Sequence, residues 1–483
     1  RAGDPAATAL SASLSDLGIR LRRLKTGTPP RIDARSIDFS KTELQTGSDR
    51  PLWFSFDGAN GQIERLELPP LPIYPGITDG WRVQMPCYLI HTNPATHDII
   101  AANIDRAPMF NGTIQAVGTR YCPSIEDKIV RFRDKPSHGL FLEPEGWRTT
   151  EVYVQGANTS LPQDVQLAFL RTIPALAEAT ITRYGYAVEY DAIDSSELTR
   201  TLAARRVDGL FFAGQVCGTS GYEEAAGQGI VAGLNAACFT QGAEPLVLRR
   251  DQSYIGVMID DLTTQEFVEP YRMLTSRAEH RLLLRCDNAE ARLSGIAYRF
   301  GLISRERWEA VQAECRLITE TLARLAAYHL SMNPRTAEAL ERAGLPPLAR
   351  NQTALDYLRR PEVHYEALAG VLEALGGEHL ALPPRLAERV EVEARYEAYI
   401  EKELARVERI RHLEERPIPD GIDYAALAGL RNEAKEKLAR FRPATLGQAS
   451  RIAGVTPGDV AVLMVHLERG AASVEERPTA FAR

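Results

Sequence analysis

The stretch FFAGQVCGTSGYEEAAGQGIVAG, residues 211–233, decides how the rest of the chain is read. An apolar run ends in a loop with glycines at 214, 218 and 221, and a helix-forming run with small residues follows. Strand, Gly-rich loop and helix in that order is a building unit of α/β folds that hold nucleotides. The loop N–H groups can approach a phosphate or a flat ring, and small residues let the helix pack closely. The glycine spacing does not match GxGxxG, so glycines that serve packing alone are an equal reading. Glu223 and Glu224 sit where acidic residues support a helix start, which is preferred to a reading as catalytic acids.

Working outward, short β-branched and aromatic runs predict further strands at EVYVQG (151–156) and YAVEYD (186–191), and the apolar run itself predicts one at GLFFAGQ (209–215). Helical spacing falls between them at 162–170, 197–204 and 222–237. Strands alternating with helices predict an α/β sheet. Composition shifts near residue 245, and beyond 290 Ala, Leu, Glu and Arg predict helices over 304–327, 336–343 and 384–414. The last of these is long enough that a bend is expected. Pro417 and Pro419 mark a break, after which Thr445 and Thr456-Pro457 carry N-cap and first-turn signals for two short helices.

The chain has 483 residues, which at about 150 residues per domain suggests three domains. Hydrophobic residues make up 44% and charged residues 25%, which excludes a collagen, a disordered tail and a disulfide miniprotein. Lys and Arg number 57 against 64 Asp and Glu, a net charge of −7, so nucleic-acid binding would need a local basic patch. The six cysteines (87, 122, 217, 238, 286 and 315) form no CxxC pair and no signal peptide is seen, which points to reduced thiols in the cytoplasm. No apolar run approaches the ~18–20 residues of a membrane span. His91, His97, His138 and His280 have no metal-ligand spacing, so no metal site is assigned.

Three further stretches carry candidate chemistry. In GTRYCPSIEDKIVRF (118–132), Cys122 lies between Arg120 and Lys128, with Arg131 beyond, and Pro123-Ser124 reads as a turn into a helix. Cationic neighbours lower a thiol pKa and favour the nucleophilic thiolate. A buried, inert cysteine is the competing reading. LKTGTPPRI (24–32) is a rigid turn preceded by Arg20, Arg22 and Arg23, and reads equally as a phosphate-contacting loop or a solvated one. In YRMLTSRAEHRLLLRCDN (271–288), Arg277, Arg281 and Arg285 would align on one face of a helix. That face could grip a nucleic-acid backbone or be ion-paired.

Taken in order from 24 to 457, LKTGTPPRIDARSIDFS, VGTRYCPSIEDKIVRF, HGLFLEPEG, VQGANTSLPQDVQ, GYAVEYD, FFAGQVCGTSGYEEAAGQG, YIGVMIDDLTTQEFVEPYRMLTSRAEHRLLLR and RPATLGQASRIAGVTP resemble one family. It is the flavoprotein subunit of the tRNA uridine 5-carboxymethylaminomethyl modification enzyme, the MnmG/GidA family. The resemblance implies an α/β, FAD/NAD-linked-reductase-like fold with two dinucleotide domains and a helical C-terminal region. It implies FAD and NADH as cofactors, methylenetetrahydrofolate as one-carbon donor and tRNA as substrate. It also implies a homodimer that joins the tRNA-modification GTPase (MnmE) in a heterotetramer, with no membrane association.

Carried over residue by residue, Cys122 matches one of two cysteines implicated in the chemistry. Gly118, Thr119, Arg120, Tyr121, Cys122, Pro123, Ser124, Ile125, Glu126, Asp127, Lys128, Ile129, Val130, Arg131 and Phe132 match the segment assigned to NAD. Gln215 and Ser11 match FAD contacts. The tRNA surface is expected at Arg277, Arg281, Arg285, Arg440, Arg442 and Arg451. The expected domains are a remnant of the FAD domain (1–24), an inserted NAD/substrate domain (25–140) and a second part of the FAD domain (141–245). A mainly helical domain (246–415) and a small helical C-terminal domain (416–483) follow. The family opens with a strand, a GxGxxG loop and a second functional cysteine, and this chain, starting at Arg1, is expected to be N-terminally truncated, with the Rossmann portion missing. Weak FAD binding by the chain alone is expected on that ground. Competing expectations are a non-catalytic tRNA- or partner-binding fragment and the related folate- and FAD-dependent tRNA methyltransferase, which lacks the long helical extension.

Overall fold

The structure is a computed structural model that describes residues 6–49, 52–61, 70–77, 84–116, 118 and 123–475. It divides into two compact units, Arg1–Pro245 with Gln265–Arg272, and Leu246–Thr264 with Met273–Arg483.

Eight strands organise the first unit: β1 (Leu21–Thr28), β2 (Arg31–Asp33), β3 (Glu43–Gln45), β4 (Cys87–His91), β5 (Gly139–Pro144), β6 (Glu151–Gln155), β7 (Ile181–Arg183) and β8 (Tyr186–Ile193). β1 and β8 form an antiparallel ribbon along their whole length, from Leu21 opposite Ile193 to Thr28 opposite Tyr186. The other six make one sheet in the order β3-β4-β5-β6-β2-β7. All of its ladders are antiparallel.

Tyr88 and Ile90 of β4, Leu140 and Leu142 of β5, and Val152 and Val154 of β6 alternate onto a buried face. Phe169 and Leu170 of the Gln163–Arg171 helix, Ile100 of the Pro94–Ala101 helix and Ile125 and Ile129 close that core. The whole sheet lies between Thr28 and Tyr186, which face each other on the ribbon. The domain boundary expected at 140/141 therefore falls inside a strand, and β5 pairs with both β4 and β6 across it. Shared ladder hydrogen bonds make 31–183 one body instead of two.

Two local expectations fail. The strand expected at 209–215 makes a single bridge, Phe211 to Ala203. An extended backbone becomes a ladder only where a neighbour continues the pairing, and here Gly214–Cys217 turns away as a 3-10 turn. The helix expected at 197–204 is a tight turn. Leu202 has φ +62°, which no α-helix allows. The Thr199 and Thr201 hydroxyls bond each other at 2.7 Å, and Thr199 N–H donates to Ala203 O at 3.0 Å. Such local bonding competes with the helical ladder. The helices at Gln163–Arg171 and Tyr222–Gln241 form as expected, the second running four residues further.

The second unit is helical. Ser304 caps the Arg305–Ala327 helix, its hydroxyl accepting from Arg307 N–H at 3.2 Å. Asn333 and Pro334 start the Pro334–Arg342 helix in the same manner. Pro384–Glu415 is one uninterrupted helix of 32 residues. Its Leu386, Val390 and Ala394 pack on Ile318, Leu325, Tyr357 and Leu368. A separate terminal core of Leu438, Phe441, Leu446, Ile452 and Leu463 joins the last helices. Thr445 caps Leu446–Arg451 by accepting from Gln448 N–H at 3.2 Å. Among the described residues no helix is long and apolar enough to cross a membrane.

Candidate functional site

Three segments distant in sequence converge in the first unit. Pro123-Ser124 leads into the Ile125–Arg131 helix, and the Ser124 hydroxyl accepts from Asp127 N–H at 3.1 Å. Ile125 N–H donates to Asn158 O at 2.7 Å. Glu126 is fully buried, and its Oε1 accepts from Thr159 Oγ1 (2.8 Å), Ser160 N–H (2.8 Å) and Ser160 Oγ (3.3 Å). Its Oε2 has no hydrogen-bond donor among the described residues. Asn158 Nδ2 donates to Gly27 O at 3.1 Å, and Lys128 Nζ donates to Gly156 O at 2.9 Å. The end of β1, the helix start at 125 and the loop after β6 are thus tied together by polar groups.

Cys122 lies outside the described residues, as do Thr119, Arg120 and Tyr121. The chain on both sides of it is fixed. Glu189 Oε1 accepts from Gln115 N–H (3.3 Å) and Ala116 N–H (3.2 Å) on the upstream side. A Cβ on Gly118 would stand 2.8 Å from Lys25 Cε, so Gly118 itself lies close against β1. Downstream, the helix splits the expected NAD segment by face. Ser124, Ile125, Glu126 and Ile129 are buried, whereas Pro123, Asp127, Lys128 and Val130 are half-exposed and Arg131 and Phe132 exposed. Arg131 pairs with Asp127 at 3.7 Å.

The Gly-rich loop forms a second element of the site. Gly214 and Gly218 have φ of +79° and +76°, the left-handed region that favours glycine. Gln215 is exposed, between buried Gly214 and Cys217. A Cβ on Gly218 would come within 3.4 Å of Leu24 Cδ1, so the loop lies directly on the ribbon. That leaves the exposed, uncharged Gln215 amide available to a ligand laid on the turn. Burial pushes the Cys217 thiol up to about 12, so it is no nucleophile. Glu224, in the first turn of the helix, is buried beside Arg272 (3.4 Å) and folds over Gly221, but no side chain caps that helix; Glu223 stays exposed. Ser11 donates to Asp191 Oδ2 at 2.6 Å, which docks the Thr8–Asp16 helix on β8.

The arginines before the turn are used internally. Arg20 binds buried Glu197 (2.6 Å), Arg22 binds Asp194 (2.7 Å) and Glu266 (2.8 Å), and Arg23 binds Asp191 (3.1 Å). Burial opposes the Asp194 carboxylate, but bonds from Ser196 and Arg22 outweigh it and hold its pKa well below the usual range.

In the second unit, Arg277, Arg281 and Arg285 do not share a helix face, because the only helical turn there is the 3-10 piece Thr275–Arg277. Arg277 faces Asp261 at 3.6 Å, and Arg285 binds Asp287 (3.0 Å) and Glu393 (2.6 Å). Arg451 is mostly buried, bound to Asp260 at 2.6 Å and also to Glu414. Those three guanidinium groups are engaged by carboxylates; Arg281 and Arg442 are exposed. Arg440 lies 5.6 Å over the Phe441 ring. Among the described residues no group of three His, Cys, Asp or Glu side chains could hold a metal ion.

Sequence reasoning passed over Asn158, Ser160, Glu189 and Gln228. The one available signal for Gln228 was a lone polar residue within a run of small ones.

The family model described as glucose inhibited division protein A matches residues 1–244. Models for the C-terminal helical domain and the C-terminal helical bundle of the tRNA modifying enzyme MnmG/GidA match 305–404 and 406–482. The tRNA uridine 5-carboxymethylaminomethyl modification enzyme MnmG of Roseiflexus castenholzii is 54% identical over 480 residues, covering 97% of this chain and 69% of that protein. The enzyme of the same description from Listeria innocua is 48% identical over 461 residues, 95% of this chain and 70% of that protein. The solved structure of Aquifex aeolicus GidA in its form II crystal superposes with a TM-score of 0.81 at 41% identity, covering 97% of this chain and 71% of that one.

Proposed function

Because the chain belongs to the MnmG/GidA family, we propose that it takes part in tRNA modification, adding a carboxymethylaminomethyl or aminomethyl group to C5 of the wobble uridine. The observation that carries this reading is the convergence of residues 25–30, 123–131 and 156–160, the second of which directly follows Cys122 in sequence. The names of the relatives support the substrate and the product. The non-catalytic fragment reading gains no support, since the family match covers the Cys122 portion as well as the helical one.

In this reading the Cys122 thiolate adds to C6 of the uracil ring. C5 then gains enolate character and attacks the incoming methylene carbon, whose bond to its nitrogen carrier yields its electron pair to that nitrogen; glycine or ammonium supplies the nitrogen of the final group. Loss of the C5 proton and departure of the thiolate restore the ring. Arg120 and Lys128 favour the thiolate, and a general-acid role for Cys122 is the competing assignment. Bound FAD, reduced by NADH, would supply electrons for joining a methylenetetrahydrofolate-derived carbon to the base. Gln215 and the 214–218 turn would meet the flavin. The exposed edge of the helix start, Asp127, Lys128, Arg131 and Phe132, would meet NADH. Arg281 and Arg442 head the proposed tRNA contacts. The GTPase MnmE and a second copy of the chain complete the proposed assembly, in the cytoplasm.

The test is nucleoside mass spectrometry of tRNA incubated with the full-length protein, the GTPase with GTP, FAD, NADH, methylenetetrahydrofolate and glycine or ammonium as nitrogen donor. C5-modified uridine is expected with the full-length protein and none with its Cys122→Ser variant. Full modification by Cys122→Ser would sink the thiolate role.

A further inference from the structure

We propose that Gln228 is a positioning residue for the flavin-facing loop: one buried amide side chain ties both ends of the 214–219 turn and so fixes where Gln215 is presented. The inference rests on the flavin reading of that loop.

Gln228 sits in the Tyr222–Gln241 helix and is fully buried. Its Oε1 accepts from Gly214 N–H at 2.7 Å, and its Nε2 donates to Thr219 Oγ1 at 3.0 Å. These anchors lie at the first residue of the turn and just past its last. Between them Gly218 N–H donates to Gln215 O at 2.9 Å, closing the turn on itself. Thr219 is fully buried and bridges Tyr271, whose N–H donates to Gly218 O at 2.9 Å.

Gly214 and Gly218 both occupy left-handed backbone, where glycine is permissive and therefore does not hold a shape by itself. A loop with two such hinges needs an external tie, and Gln228 supplies it at both ends. The same geometry consumes the Gly214 N–H inside the protein. The loop therefore meets a ligand through the exposed Gln215 amide and not through that backbone donor.

The clamp is read first without flavin. Gln228→Met fills the same space but offers Gly214 and Thr219 no hydrogen bond, whereas Gln228→Glu keeps an acceptor for both. Hydrogen exchange of the peptide spanning 209–221 should speed up at least tenfold in Gln228→Met, with the β1–β8 ribbon unchanged, and return towards the natural rate in Gln228→Glu. Unchanged exchange in that peptide overturns the proposal whatever the flavin result.

A double-mutant cycle then asks whether the tie acts through Gln215. FAD titration by fluorescence quenching should show about tenfold weaker binding for Gln228→Met. In a Gln215→Ala background the same change should have under threefold effect, because the group being positioned is gone. Equal losses in both backgrounds mean that Gln228 stabilises the helix only, and overturn the positioning role. If neither the natural chain nor any variant quenches FAD even at saturating concentration, the positioning role falls; the exchange result still decides the clamp.

Discussion

The two units use polar side chains differently. In the first, single buried groups satisfy several neighbours: Glu126 takes three donors on one oxygen, and Gln228 uses both ends of its amide. In the second, charges are pooled. Arg250 binds Asp260 (3.2 Å), Asp261 (2.7 Å) and Glu279 (2.7 Å), and Arg451 shares Asp260. The flanking carboxylates push the pKa of both guanidinium groups upward against the cost of burial. The first arrangement fixes loops with few net charges near a place for chemistry. The second locks helices to the loops between them.

If this contrast is right, breaking the pooled charges should cost stability most. Asp260→Ala leaves two buried guanidinium groups short of a partner, and removing one member of a buried ion pair typically costs about 3–5 kcal/mol. Urea unfolding followed by a probe in the helical unit should report it; a loss below about 1 kcal/mol would end the distinction. Glu126→Ala leaves three buried donors unanswered and should cost about 2–3 kcal/mol in the first unit. Glu126→Gln, which keeps an acceptor oxygen, should recover most of that.

Of the six-stranded sheet only β6 was legible, where EVYVQ alternates onto one buried face; YAVEYD marks β8 of the ribbon, whose burial does not alternate. The capped helices at 305 and 446 were equally plain from Ser304 and Thr445. The site was legible only in pieces. The sequence shows Cys122, Gln215 and a turn at 25–30, but nothing in their spacing says that Asn158 and Glu126 tie the segments together. Those bonds span 33 and 131 residues, and local pattern carries no such information. The arginine stripe misled because a spacing of four aligns residues only on a helix, and 278–288 forms none. An excess of nearby acid, Asp260, Asp261 and Glu279, was the clue to internal pairing.

Smaller effects sharpen the comparison further. Asp194 is held below its usual pKa in the folded state, so its contribution is present above about pH 4 and is lost as pH falls through the folded value. Asp194→Asn should therefore lose about 1–2 kcal/mol at pH 7. The difference from the natural chain should shrink in acid, and a constant difference down to pH 2 would exclude the carboxylate as its source. Smallest is the RNA surface. Arg442→Ala should lower the slope of log affinity for tRNA against log salt by about one unit, with no change in unfolding midpoint. The same slope would remove Arg442 from the contact surface.

The β1–β8 ribbon has a consequence in time. Leu24 meets Tyr190 only after the intervening residues have been made, and the six-stranded sheet is threaded between the two strands. At roughly 5–20 residues per second of synthesis, β1 waits on the order of ten seconds or more with its edge unpaired. The sheet domain can collapse in that interval, bringing Thr28 and Tyr186 together and shortening the loop that the ribbon must close. Translation order thus makes the ribbon a late seal on an already folded insert, and a nascent chain stalled before residue 186 is the species most exposed to edge-to-edge aggregation.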